Sequence, residues 1–312
     1  MHILILGAGA IGSLLGARLS ETEARVTLLT TDRGHIQAIQ RDGLMVEELD
    51  GSRRIYRIPG FDHPSLIPEK ADLVIVAVKN YDTPKAVSSI GGCCHPSTLF
   101  LTLQNGIGNL ELISDLVPKE QVLAGVTAQG ATLLNPGLIR HGGNGPTFIG
   151  EPHGPPSPRV DSLVEVFRRA TLETNPSSMM QQLIWEKLLV NVGINAITAL
   201  TGIRNGVIAE LDTGRKLCRA AVEEARIVAL AKGFQISEDM PDRVIAVAKA
   251  TSVNRSSMGQ DVDSRSRTEI NAINGAIVRF GKELGIPTPV NRTLTELVQI
   301  LEMSYLAVGS EQ

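Results

Sequence analysis

The sequence has no apolar run long enough to cross a membrane, because its longest apolar stretches are broken by Gly, Asn or charged residues. It is poor in cysteine. Cys93 and Cys94 are adjacent, Cys218 makes the count odd, and both facts argue against a disulfide framework. No Cys/His spacing resembles a metal site. An excess of either charge is also missing: 30 Lys+Arg against 33 Asp+Glu leave a formal charge of −3, which offers nothing to a nucleic acid. Solenoid-period repeats and low-complexity tracts are absent. The N-terminal residues read as a core strand and not as a signal peptide. These absences lead to the expectation of a cytoplasmic protein with no nucleic-acid, membrane or metal partner. At 312 residues the chain is long enough for two domains and a sizeable core.

What is present begins at once. His2-Ile-Leu-Ile-Leu6 reads as a strand, Gly7-Ala8-Gly9-Ala10-Ile11-Gly12 as a turn, and Ser13–Leu19 as an amphipathic helix. G-x-G-x-x-G between strand and helix is the context in which the motif signifies dinucleotide binding. Gly7 permits the tight turn, Gly9 lets a pyrophosphate approach the backbone, and Gly12 lets the helix pack closely on the strand. The helix N-terminus offers N–H groups and a partial positive charge to the phosphates.

Strands and helices alternate through the first half, predicting a doubly wound sheet. Strands are predicted at Arg25–Thr30, Ala71–Lys79, Thr98–Leu103 and Val122–Thr132, with a helix near Gly34–Asp42 and a β-excursion over Gly43–Leu49 and Arg53–Ile58. Asn135-Pro-Gly137 turns the chain into a short β-segment ending near Gly150. Glu151–Pro158 is a Pro-rich surface loop, followed by a helix at Arg159–Leu172. After Asn175–Ser178 the pattern is helical, with helices expected at Met180–Leu200, Asp212–Lys232, Asp239–Asn254, Arg267–Leu284 and Pro289–Leu301. The expected fold class is α/β, an N-terminal Rossmann domain over 1–175 followed by an all-helical domain over 176–312.

Within Leu183–Ile197, the polar residues Lys187, Asn191 and Asn195 recur at i, i+4 and i+8, on one face of an otherwise apolar helix. A helix apolar nearly all round is buried, so the stripe is expected to face an interior cleft. Burying an ammonium costs on the order of several kcal/mol unless a partner is present. Two readings stay open: a functional stripe, or a lysine stretching to the surface beside two backbone-capping asparagines. Ser256–Asp261 is a turn-like segment dense in short donors and acceptors. Arg267 begins the next helix, with Thr268 or Ser266 as N-cap and Glu269 as a first-turn carboxylate favoured by the helix dipole. A carboxylate facing Lys187 would resolve the buried charge.

These residues together carry a resemblance. GAGAIG at Gly7–Gly12, AVK at Ala77–Lys79, QNGIG at Gln104–Gly108, NPGLIRHGG at Asn135–Gly143, WEKLLVNVGIN at Trp185–Asn195, SSMGQD at Ser256–Asp261, TEINAING at Thr268–Gly275 and GIPTPVN at Gly285–Asn291 resemble the ketopantoate reductase (2-dehydropantoate 2-reductase) family, in order and spacing, over nearly the whole chain. The resemblance implies a Rossmann domain and a helical domain with the active site in the cleft between them. It implies reduction of a 2-oxo acid, 2-dehydropantoate, in pantothenate and coenzyme A biosynthesis, with NADPH/NADP+ as cofactor. It places the catalytic lysine on Lys187 and the conserved glutamate on Glu269, which also counts among the cofactor contacts. Substrate-binding roles fall on Asn191, Asn195 and Ser257. Asn105, at the sheet's C-terminal edge, falls near both nicotinamide and substrate, and Lys79 on a cofactor-contacting lysine. Gly7, Ala8, Gly9, Ala10, Ile11 and Gly12 would hold the pyrophosphate.

Three departures bear on this. The family usually has an Arg directly after the second strand for the 2′-phosphate of NADPH. Here Thr30-Thr31-Asp32-Arg33 displaces it to Arg33, and Asp32 is suited to the ribose hydroxyls of NADH. Asn271 stands where many members have Asp, which is expected to alter the substrate side of the cleft. The family also includes paralogues acting on other substrates. The implied chemistry is hydride transfer to C2, with Lys187 as proton donor and Glu269 accepting from the substrate hydroxyl. The rivals are a hydroxyacid or opine dehydrogenase of similar architecture and a non-catalytic dinucleotide sensor, against which the Lys187/Glu269 pair argues. A homodimer through the helical half is left open.

Overall fold

The structure, a computed structural model, describes residues 1–307 and divides into two compact units. The first comprises Met1–Gln104 and Gly108–Gln181. The second comprises Asn105–Ile107 and the chain from Gln182 onward.

The first unit runs β1 (His2–Leu6), α1 (Ala10–Leu19), β2 (Arg25–Leu29), α2 (Arg33–Asp42), β3 (Leu44–Glu47), β4 (Arg53–Tyr56), β5 (Gly60–Phe61), β6 (Ala71–Val76), α3 (Thr83–Ser89) and β7 (Cys94–Thr102). It continues with α4 (Asn109–Ser114), β8 (Val122–Thr127), β9 (Gly130–Asn135), β10 (Leu138–Gly143), β11 (Thr147–Gly150), α5 (Pro158–Arg169) and β12 (Thr174–Pro176). Eight strands form one sheet in the order β12-β11-β8-β7-β6-β1-β2-β5. It is parallel except for the antiparallel pairing of β11 with β8. Leu4, Ile5, Leu73, Val74 and Ile75 are wholly buried, so β1 and β6 are apolar without alternation, as a sheet covered on both faces requires. Chain order runs outward from β1 through β2 to β5 and from β6 through β7 to β8. The β1/β6 boundary is therefore the topological switch point, where doubly wound sheets bind ligands.

The predicted β-excursion contributes to a second sheet, ordered β4-β3-β10-β9. This corrects the single strand expected over Val122–Thr132. Ala128 and Gln129 interrupt it, because β8 pairs in the large sheet and β9 in the small one.

The second unit is helical: α6 (Met180–Thr201, which begins in the first unit), α7 (Asn205–Glu210), α8 (Asp212–Ala231), α9 (Met240–Ala250), α10 (Ser257–Asp263), α11 (Asn274–Leu284) and α12 (Pro289–Leu306). Trp185, on α6, is buried against Phe234 and Phe280, with ring centroids 5.1 and 5.7 Å away. The helix expected over Arg267–Leu284 is not continuous. Ile270–Ala272 is a 3₁₀ turn, Ile273 takes φ −110°, ψ −97°, outside helical space, and α11 starts only at Asn274. The turn-like Ser256–Asp261 is instead mostly α10. The expectation that no apolar run reaches spanning length also needs correction at α6. With 22 residues and a window of mean hydropathy 1.4, it has the length and composition of a membrane-crossing helix, but 61% of that window is buried inside the protein, as in a core helix.

Candidate functional site

The glycine turn leaves β1 at the switch point. Gly7 has φ +103°, and a Cβ there would collide with the Val78 backbone N, so close packing of the turn on the β6 exit demands glycine. Gly7 N–H and Ala8 N–H both donate to Leu29 O, at 2.9 and 3.0 Å, fixing the turn to β2. Gly9 is the N-cap of α1 and makes no side-chain cap bond. A Cβ built on it meets nothing within 4 Å. The open space beside Gly9 and the first-turn N–H groups of Ala10, Ile11 and Gly12, which lack intrahelical partners, fit a pyrophosphate.

Farther along the sheet edge, Asp32 caps α2, its Oδ1 accepting from His35 N–H at 2.9 Å. Arg33 is 82% exposed at its side chain, and its Nε lies 3.2 Å from Asp62 Oδ2. Lys79 follows β6 and opens a 3₁₀ turn over Asn80–Asp82. Gln104, which the sequence reading passed over, ties the exits of two strands: its Nε2 donates to Val78 O at 2.7 Å and Thr83 Oγ1 at 2.8 Å. No spacing signal marks it, since its partners come from another strand and helix.

In the second unit, the stripe of α6 carries the other candidates. Lys187 is half-buried, yet protein atoms around its ammonium desolvate it strongly. That desolvation lowers it from its ordinary value to about 8, and the charge of Glu269 opposes the shift. Glu269 is 7% exposed, at the entry to the 3₁₀ turn. It is therefore not a first-turn helix carboxylate, because the chain around it is held otherwise. Thr268 N–H donates to Glu302 Oε1 at 2.5 Å, and Thr268 Oγ1 accepts from Ile270 N–H at 3.2 Å. The segment containing Asn105 docks on the same turn. Ile107 N–H donates to Ala272 O at 3.1 Å, and Gly106, at φ +80°, packs so closely that a Cβ would come within 2.8 Å of that oxygen. Asn191 Nδ2 is buried without a hydrogen-bond partner, a donor whose desolvation nothing in the protein offsets.

Asn195 Nδ2 donates to Ser257 Oγ at 3.4 Å. Ser256, beside it, does structural work. Its Oγ accepts from Gly259 N–H at 3.0 Å to cap α10 and bonds Thr198 Oγ1 at 2.6 Å. Arg255 was also missed by the sequence reading. It joins Asp263 through two bonds of 2.8 Å and the carbonyls of Thr198 and Ile203 at 2.6 and 2.9 Å, locking α10 to the end of α6. The structure thus brings Lys187 into the field of Glu269, and Asn195 onto Ser257. Asn271 is exposed, its Oδ1 accepting from Gln299 Nε2 at 2.8 Å on α12. Among the described residues, no cluster of three or more His, Cys, Asp or Glu could hold a metal ion.

A family model described as ketopantoate reductase PanE/ApbA matches residues 3–154, and its C-terminal counterpart matches residues 179–302. The chain is 40% identical over 302 residues to a 2-dehydropantoate 2-reductase of Halobacterium salinarum, spanning 97% of this chain and 99% of that protein. Among solved structures, it is similar to a PanE/ApbA family ketopantoate reductase from Ralstonia eutropha JMP134, with a TM-score of 0.89 and 31% identity over 98% of this chain and 100% of that one. It is similar also to D-mandelate dehydrogenase, solved with NADH and anilino(oxo)acetate, with a TM-score of 0.90 and 28% identity over 98% and 99% of the two chains.

Proposed function

The chain belongs to the ketopantoate reductase PanE/ApbA family, and from that premise we propose that it reduces 2-dehydropantoate to pantoate with NADPH, in cytoplasmic pantothenate and coenzyme A synthesis. The observation that carries this reading is Lys187: a desolvated ammonium in the field of Glu269, on the same helix face as the unpartnered Asn191 Nδ2.

When bound, the nicotinamide supplies a hydride to C2 of the 2-oxo acid. Negative charge then grows on the carbonyl oxygen, and Lys187 Nζ stabilises it and donates a proton to it. An ammonium lowered to about 8 remains protonated at neutral pH and gives up its proton more readily than an exposed lysine. Asn191 Nδ2 gains from the substrate the acceptor it lacks in the protein. Asn195 and Ser257 hold the substrate carboxylate. Glu269 accepts a hydrogen bond from the substrate's 4-hydroxyl and balances the charge of Lys187. The Gly7–Gly12 turn would hold the pyrophosphate, Arg33 the 2′-phosphate, and Lys79 and Asn105 the nicotinamide side.

One observation favours a second reading, an NADH-dependent reductase of another 2-oxo acid. Asp32, at the N-cap of α2 in the turn that follows β2, is near where a carboxylate takes ribose hydroxyls, and the similar D-mandelate dehydrogenase is solved with NADH. Cofactor oxidation with each dinucleotide and a panel of 2-oxo acids separates the two. We expect the highest kcat/KM with NADPH and 2-dehydropantoate, and a higher value with NADH and an aromatic 2-oxo acid would reverse the assignment.

A further inference from the structure

His35 has no role in the chemistry above, yet it sits where three elements meet. It is the third residue of α2 and 1% exposed. Gly137 N–H, from the turn between β9 and β10, donates to His35 Nδ1 at 3.0 Å. A backbone amide can only donate, so Nδ1 is the unprotonated nitrogen and the ring proton is on Nε2. Nε2–H then donates to Ser13 Oγ at 3.1 Å, and the Ser13 hydroxyl donates to Ala8 O at 3.2 Å. The first donor thus fixes the direction of each following bond. Burial pushes the imidazole below its ordinary value, with Asp32 opposing, in keeping with a neutral ring.

The far end of this chain of bonds is the glycine turn, since Ala8 is the residue between Gly7 and Gly9. The near end is the start of α2, where His35 N–H is also the amide that Asp32 caps and where Arg33 projects. A single buried side chain therefore links the turn suited to the pyrophosphate with the segment suited to the adenosine ribose.

We propose that His35 is a positioning residue for the dinucleotide, acting through Ser13 on the Ala8 carbonyl to set the glycine turn. The inference rests on the reading that Gly7–Gly12 binds a dinucleotide. A merely structural histidine would use its two bonds alike, to hold the fold. A positioning histidine needs the Ser13 bond for cofactor affinity and the Gly137 bond only for stability.

Two substitutions separate the bonds. His35→Asn places an amide oxygen near the position of Nδ1 and keeps the Gly137 bond, but falls short of Ser13. His35→Gln carries an amide nitrogen toward the position of Nε2 and keeps the Ser13 bond, but gives up Gly137. Dissociation constants for NADPH and NADH would be measured by fluorescence titration, beside thermal unfolding midpoints. We expect His35→Asn and Ser13→Ala each to weaken dinucleotide binding about tenfold, and their combination to weaken it no further. His35→Gln should bind within about twofold of the parent even where its unfolding midpoint falls. If His35→Asn does not fold, Ser13→Ala decides alone. Parental affinity in Ser13→Ala, or equal losses in the Asn and Gln variants that follow their unfolding midpoints, would overturn the proposal. A parent protein that binds neither dinucleotide would instead overturn the cofactor reading beneath it.

Discussion

Asn195 Nδ2 reaches Ser257 Oγ across 3.4 Å, joining the polar stripe of α6 to the first residue of α10. That distance is at the long end for a hydrogen bond, so either group can turn to a better partner. Ser256 is already committed to the α10 cap and to Thr198. Adjacent serines thus divide their work, one holding the helix and the other available to a ligand.

Ser257→Ala should therefore raise KM for the 2-oxo acid about tenfold, with little change in dinucleotide affinity or unfolding midpoint. Ser256→Ala should do the reverse, lowering stability by about 1 kcal/mol through loss of the cap while leaving KM near the parental value. Steady-state kinetics and thermal unfolding of both variants check the division. An unchanged KM in Ser257→Ala would remove that residue from the substrate site.

On the proposed reading, Lys187 concentrates catalysis and instability in one group. Its folded-state value of about 8 lies below its ordinary 10.5. Between those limits the unfolded chain binds a proton that the folded protein has released, so this group's contribution to stability rises with pH across the window. Below about pH 8 both states carry the proton, and the folded state bears the full desolvation penalty. Lys187→Met, similar in volume and uncharged, should be more stable than the parent at neutral pH, with the gap narrowing from about pH 8 to 10.5. The same variant should lose at least roughly a hundredfold in kcat. In the parent, kcat/KM for reduction should decline above about pH 8 as the acid loses its proton. A stability difference that stays flat with pH would contradict the buried-ammonium account.

The parts of these candidate sites that are legible in the sequence are those fixed by local geometry. G-x-G-x-x-G between an apolar strand and a helix can be read because turn, cap and close packing all lie within a few residues. Lys187, Asn191 and Asn195 can be read because helical period alone puts them on one face. The rest depends on partners far along the chain. Glu269 misses its expected helix because Glu302 takes the Thr268 N–H and Ile273 leaves helical space. Asn271 turns outward to Gln299. Val122–Thr132 splits because its halves pair in different sheets, and a continuous run of β-prone residues carries no mark of that division. Arg255 and His35 hold elements whose proximity only the fold creates.

On the proposed reading, cofactor choice turns on Arg33. Its guanidinium is exposed and weakly tied to Asp62, so a 2′-phosphate can recruit it at small cost. Arg33→Ala should raise the dissociation constant for NADPH at least about tenfold and leave that for NADH within about twofold, because the charge pairs only with the extra phosphate. Equal losses for both dinucleotides would place Arg33 off the 2′-phosphate and direct attention to Asp32.

On the proposed reading, substrate identity turns on Glu269. Glu269 is 7% exposed and its charge acts on Lys187; on that reading its carboxylate accepts from one hydroxyl of the bound substrate. 2-Dehydropantoate carries such a hydroxyl at C4, and 2-oxo-3,3-dimethylbutyrate lacks it. A site that hydrogen-bonds a substrate hydroxyl discriminates against an analogue lacking it, so the parent should favour 2-dehydropantoate by about a hundredfold or more in kcat/KM. Glu269→Ala should raise KM for 2-dehydropantoate and bring the two substrates close together, because nothing is then left to read the hydroxyl. It should also lower the pKa of Lys187 further, since the opposing charge is gone, and so move the fall in reductase activity below about pH 8. The pH shift tests the Lys187–Glu269 pairing, and the substrate ratio tests the hydroxyl contact. A parent that reduces both compounds equally well, with the pH shift intact in Glu269→Ala, would keep the catalytic pair and transfer the assignment to a 2-oxo acid without a 4-hydroxyl.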